Sequence, residues 1–236
     1  MRHFILALFL ASPLAAQSIE TDLELVLLAD ASGSIDTEEL AFQRQGYASA
    51  ITDPAVVAAI ESSIYGTIAV TYVEWASNTA VVVDWMIIDG AKTAETFAKA
   101  LIGPPRQAYG GNAIGGALLD AKRLIEVNDI RAPRAVIDFS GDSIRNFSGP
   151  SIASARQEVL AAGITINALP ILRPEDGRRA GANLEKEYAD RIIGGPGAFM
   201  VTAEGRASFA EAVRRKLVLE ISGLTPENHN VAAGRD

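Results

Sequence analysis

Leu25-Val26-Leu27-Leu28-Ala29-Asp30-Ala31-Ser32-Gly33-Ser34 is the stretch on which the reading of this chain turns. An unbroken apolar run of this length, closed by polar residues, marks a strand buried on both faces. A carboxylate and two hydroxyls follow at once, at Asp30, Ser32 and Ser34, where the strand gives way to a tight turn. Such a turn can aim three hard oxygen donors at one point, and hard oxygens suit Mg²⁺, Mn²⁺ or Ca²⁺ rather than a soft metal. Taken alone, the same residues are also good turn and N-cap formers. What else reaches the same place decides between a metal site and a turn.

Outward from this strand, apolar runs alternate with helical patterns, which predicts an α/β fold: a doubly wound, mostly parallel sheet covered by helices on both faces. Thr37 to Ala50 reads as a helix capped by Asp36 or Thr37, with Glu38 and Glu39 in its first turn. Thr67 to Trp75 and Ala80 to Ile88 read as strands. Their connection, Ala76-Ser77-Asn78-Thr79, is too short for a helical crossover, so one edge strand runs antiparallel. Helices are predicted over 93–102, 113–127, 152–162, 184–193 and 207–221, and further strands over 133–139, 164–169 and 198–202, with a polar loop over 173–182. In open α/β sheets ligands bind beyond the carboxyl ends of the strands, where strand order reverses, and Asp30 falls there.

The N-terminus reads differently. Arg2 and His3 precede the apolar run Phe4 to Leu10 and then Ala11-Ser12-Pro13-Leu14-Ala15-Ala16, the pattern of a signal peptide cleaved near Ala16 or Gln17. The run is too short for a spanning helix, and no later segment is apolar enough to be one. The expected organisation is a signal peptide over 1–16, one domain over 17–223 and a flexible tail over 224–236, placing the protein in the periplasm or outside the cell. The chain has no Cys, so disulfides, thiolate catalysis and Cys-ligated zinc are all excluded. Its formal charge is −8, and loss of Arg2 with the leader makes it one charge more negative. Such a surface repels nucleic acid and anionic membranes.

Two further segments are expected at the same sheet edge. Gly110-Gly111-Asn112 precedes a helix, and Asp138-Phe139-Ser140-Gly141-Asp142-Ser143 closes a strand. D-x-S-x-S after an apolar strand, followed by these two segments in this order, resembles the metal-ion-dependent adhesion site of von Willebrand factor type A domains. In that family the metal is held by the D-x-S-x-S segment, a Thr from a loop opening a helix, and an Asp in a turn after the next strand. The resemblance therefore implies a Rossmann-like three-layer fold and assigns Asp30, Ser32 and Ser34 to the first set, Asn112 to the Thr position and Asp142 to the turn Asp. Tyr72 to Ser77 (YVEWAS), Val136 to Ser143 (VIDFSGDS) and Ile193 to Phe199 (IGGPGAF) resemble a bacterial family of exported type A-like proteins catalogued only as a domain of unknown function. Type A domains generally bind proteins, so the implied function is an exported adhesion-type module. Its cation, Mg²⁺ with Ca²⁺ or Mn²⁺ as alternatives, would accept an Asp or Glu from a partner protein. Two departures stand out. Asn112 offers an amide oxygen in place of a hydroxyl, and Ser143 stands where Gly is usual, less comfortable in a left-handed backbone.

The competing reading is a Mg²⁺-dependent phosphatase-like hydrolase, with the strand-end Asp30 as nucleophile. That chemistry needs a second Asp where Ser32 stands and a Lys that is missing near Gly141 to Asn146, although Arg145 could contribute. His-based catalysis is nearly closed, because only His229 follows the leader. No acid–base pair is assembled, and the chain reads as a non-enzyme. A metal-free structural type A domain is the third reading, favoured by Asn112. Among the remaining residues, Asp138 reads as a hydrogen-bonded structural carboxylate, Trp75 and Trp85 as core or sheet-face residues, and Arg214-Arg215-Lys216 as solvated last turns of the closing helix. Asn146-Phe147-Ser148 matches a glycosylation acceptor by chance.

Overall fold

The computed structural model describes residues 18–173 and 181–226. The expected leader, most of the expected tail and residues 174–180 of the polar loop lie outside the described residues. In chain order the elements are β1 (Ile19–Glu20), β2 (Glu24–Asp30), α1 (Thr37–Ile51), α2 (Pro54–Glu61), β3 (Ile68–Trp75), β4 (Thr79–Ile88), α3 (Ala91–Ile102), α4 (Ile114–Glu126), β5 (Ile130–Arg131), β6 (Ala135–Gly141), α5 (Ile152–Ala161), β7 (Thr165–Pro170), α6 (Gly181–Arg191) and α7 (Arg206–Ser222).

The apolar run Leu25 to Ala29 lies in the central strand, β2, which is buried along its whole length. It pairs in parallel with β3 on one side and β6 on the other, within a sheet of order β4-β3-β2-β6-β7. β4 runs antiparallel to β3 at the edge, as so short a connection requires; Thr79, expected in the connection, is the first residue of β4. β1 and β5 form a separate two-stranded parallel pair. Because side chains alternate along β2, Leu25 and Leu27 enter one core with Tyr47, Phe97, Phe209 and Val213 from the α1, α3 and α7 layer. Val26 and Leu28 enter the other with Leu118, Val159 and Tyr188 from the α4, α5 and α6 layer. The fold is thus a three-layer α/β sandwich, and the chain leaves β2 at the point where strand order reverses.

Three sequence expectations need correction. Helix α2 was not anticipated: Pro54 stands at its start and the Asp53 side chain accepts from the Ala55 amide at 2.8 Å, but eight residues are too few to display a helical period. The last strand, expected over 198–202, makes only one isolated bridge to β7, Ala168 with Met200, and a second bridge, Ile171 with Ala203, forms just beyond the ends of both. Pro170 explains the break. It accepts from the Ala203 amide at 2.9 Å but has no N–H with which to continue the ladder. Lys216 is not solvated: it is fully buried on α7, in contact with Asp138 and Glu220. It lies seven residues after Phe209 and three after Val213, on the stripe that faces the sheet.

Candidate metal centre

The turn after β2 is shaped by its own first carboxylate. The Ser32 amide donates to Asp30 Oδ1 at 2.8 Å and the Ile35 amide to the Ser32 carbonyl at 2.9 Å, which folds the loop back on the strand end. The Ser32 and Ser34 hydroxyl oxygens come within 3.2 Å of each other. Arg106 secures the loop by its backbone, Nη1 donating to the Ile35 carbonyl at 2.8 Å and Nη2 to those of Ser32, at 3.0 Å, and Ala31. Its own loop is tied down by the buried Arg44, which bonds the Pro104 carbonyl and pairs with Glu74 at 2.7 Å. Sequence reasoning did not single out Arg106, whose only local signal was its place after Pro104-Pro105.

The second segment docks on the first. The Gly33 amide donates to the Gly110 carbonyl at 2.8 Å, and Ser77 and Ala76, in the β3–β4 connection, bond to Tyr109, Gly111 and Ala113. Gly110 has φ 101°, and a Cβ there would lie 2.5 Å from Ser77 Oγ, so only glycine fits. This seats Asn112, 7% exposed, at the opening of α4. The third segment ends β6 at Gly141. A Cβ at that position would lie 3.0 Å from Trp75 Cζ2 and Tyr188 Oη and 3.1 Å from Asp30 Oδ2. Glycine is what lets the β6 end close over the Asp30 carboxylate.

Ser34, Asn112 and Asp142 line one cleft of about 610 Å³, with Arg145, Phe147 and Arg173 also on its walls. Asp30 and Ser32 are fully buried and do not line it, although their neighbours Gly33 and Ser34 do. Ser143 escapes the backbone difficulty anticipated for it, since no described non-glycine residue has a positive φ. Asn146 is a loop clamp, accepting from the Gly115 amide at 3.1 Å and donating to the Pro150 carbonyl at 3.0 Å. Asp138 is the structural carboxylate expected, paired with Lys216 at 2.6 Å. Trp75 belongs to the core, stacked on Phe139 and donating to the Ser140 carbonyl, while Trp85 is partly buried against it.

Electrostatically this is a site that lacks positive charge at its foot. Burial, and next the neighbouring Asp142 carboxylate, push Asp30 up to about 7, against hydrogen bonds from Ser32 and from the Asp142 backbone that hold it down. Asp30 Oδ2 finds no hydrogen-bond partner. A buried carboxylate with an open oxygen is costly unless a cation completes it. Arg173 serves Asp142 from outside, Nε to Oδ2 at 3.1 Å. Two carboxylates, two hydroxyls and an amide are all hard oxygen donors, and they fit Mg²⁺, Ca²⁺ or Mn²⁺. Among the described residues no group of three or more His, Cys, Asp or Glu could hold a metal ion, and this site itself offers only two carboxylates, its other candidate donors being uncharged.

Solved structures share this architecture at low identity. The minor pilin PilB of Streptococcus sanguinis is 13% identical with a TM-score of 0.62, over 90% of this chain and 64% of that one. Proximal thread matrix protein 1 of the mussel byssus, in a structure with a zinc-occupied MIDAS motif, is 16% identical with a TM-score of 0.59, over 88% and 49%. A von Willebrand factor type A protein of Catenulispora acidiphila is 17% identical with a TM-score of 0.56, over 86% and 43%. The chain spans about half the length or less of several such proteins. No curated protein matches it in sequence. Residues 20–225 match the family described as Protein of unknown function (DUF1194), and the chain therefore belongs to that family, carrying a von Willebrand factor type A-like fold.

Proposed function

We propose that this protein is an exported, adhesion-type binding module. In this reading Asp30, Ser32, Ser34, Asn112 and Asp142 hold one divalent cation, Mg²⁺ or alternatively Ca²⁺ or Mn²⁺, for a partner protein that presents an Asp or Glu. The observation that carries the reading is Asp30 Oδ2, buried and without a hydrogen-bond partner, beside a second carboxylate, Asp142, that lines an open cleft. The two carboxylates would balance the ion's charge, while the hydroxyls and the Asn112 amide add donors without adding charge. When bound, the ion would supply an electrophilic position able to take a further carboxylate. Arg106 and Gly110 hold the contributing loops in register from behind, so partner binding need not order them.

Export is supported by the apolar N-terminal run, with residues 1–16 as leader, 17–223 as the domain and 224–236 as tail. Pilus proteins among the structural neighbours support an envelope or extracellular setting. No helix among the described residues is long and apolar enough to cross a membrane.

The test is affinity capture from an envelope extract with wild-type and Asp30→Ala baits, each with Mg²⁺ and with chelator. A partner should be retained only by the wild type with Mg²⁺. Equal retention under all four conditions refutes metal-mediated binding, and phosphate release that needs metal and disappears in Asp30→Asn would point to the hydrolase.

A further inference from the structure

Arg173 leaves the end of β7 and lays its guanidinium across the edge of the candidate metal site. Nε stands 3.1 Å from Asp142 Oδ2, while Nη1 stands 3.2 Å from Glu39 Oε1 and 3.4 Å from the Ser34 carbonyl oxygen. Its side chain is 16% exposed and that of Asp142 7%, so the pair is largely shielded from water. Glu39 is itself fixed. Its Oε2 accepts from the Asp36 amide in the capping box of α1, and its Oε1 also faces Arg206 of α7 at 3.6 Å. The guanidinium is therefore held on both sides, by a candidate metal ligand and by a carboxylate that stays in place whatever Asp142 does.

We infer that Arg173 is a tethered cation that serves the metal-free site and yields Asp142 when a divalent ion binds. This rests on the metal reading above. A divalent ion drawn in by Asp142 would stand within a few ångströms of the guanidinium, and two cations that close repel in a shielded pocket, so the arginine is driven off Asp142. Occupancy of the site is then an exchange rather than a simple addition, and the arginine sets how much ion is needed. Glu39 keeps the displaced side chain at the rim of the cleft, where its positive charge would meet an approaching carboxylate. The physical class of device is an internal competitor, built from one long side chain and a second acid that retains it.

The test is calorimetric titration of the purified protein with MgCl₂ and MnCl₂, in wild type, Arg173→Gln, Arg173→Lys and Asp30→Ala, with melting temperatures recorded with and without metal. Arg173→Gln should bind about tenfold more tightly or better, because a repelling charge is gone. Its metal-free form should melt below the wild type and gain more on adding metal. Arg173→Lys keeps the charge and should bind near the wild type, which also guards against a misleading loss of fold in the neutral variant. Asp30→Ala should give no heat. Equal affinity in wild type and Arg173→Gln overturns the exchange while leaving the metal reading intact, and weaker binding by Arg173→Gln overturns it too by making Arg173 a support. Absence of heat in every variant overturns both.

Discussion

Gly141 concentrates the demands of the site in one atom that is not there. Trp75, Tyr188 and Asp30 all approach within 3.1 Å of where its Cβ would be, and none is the loose end of a flexible chain. Gly141→Ala should therefore cost about 1–3 kcal/mol of stability by overpacking, measured by urea unfolding, and should abolish any metal-induced rise in melting temperature because the displaced neighbour is the buried carboxylate. The five candidate ligands could be found from the sequence because each sits at the end of an apolar run or the start of a helix, positions that a linear pattern marks. Arg106 and Arg173 could not. The Ile35 carbonyl that Arg106 bonds lies 71 residues away and the Ser34 carbonyl beside Arg173 lies 139 away, and nothing in their own neighbourhoods announces those contacts. The loops that carry the candidate ligands were legible, whereas the arginines that pin those loops were visible only once the loops were brought together.

Among the elements, those with a strong period were readable and those defined by a single residue were not. The hairpin of β3 and β4 follows from the short connection after Trp75, and of the two caps read for α1, Asp36 or Thr37, the helix uses Asp36. Failure to read α2 traces to its eight residues, too few to show a helical period, and the interrupted ladder beside β7 to Pro170, which lacks the N–H to continue it. Asp22 is a third case, a single side chain that ties the turn before β3 to the start of β2. It accepts from the Ile64 amide at 3.0 Å, the Tyr65 amide at 2.8 Å and the Ser63 hydroxyl at 2.7 Å. Burial alone would raise its pKa, but these hydrogen bonds outweigh it and hold the carboxyl below its ordinary value. A depressed folded-state pKa means stability that is present above the ordinary Asp value and lost as pH falls through the folded value. Asp22→Asn should accordingly lower stability at neutral pH and flatten its acid dependence. Unfolding free energies measured from neutral pH into the acid range, wild type against variant, check this, and parallel curves would show that Asp22 contributes nothing through its charge.

At the scale of the whole molecule, the two cores meet at the sheet, and α7 is fastened to it by charge as well as by packing. Lys216 Nζ reaches Asp138 at 2.6 Å and also Glu220, whose other contact is the Asn167 amide at 3.0 Å. All three ionisable groups are at most 2% exposed. Burial, and next the Asp138 carboxylate, push Glu220 up to about 7, and burial likewise raises Asp138 against the pull of Lys216. Removing the one cation should be worse than removing the network, because two carboxyls would remain buried without it. Lys216→Met is expected to cost about 3–5 kcal/mol, with part recovered when Asp138→Asn and Glu220→Gln are added. The pH dependence has a definite sign. Both carboxyls would rise further without the lysine, so the folded variant binds more protons than the unfolded chain, and its stability falls as pH rises through about 7. Urea unfolding on the acid and alkaline sides of neutrality should therefore show a larger penalty on the alkaline side. A penalty independent of pH would mean that the lysine acts through its methylene packing, and that α7 is held to the sheet by shape alone.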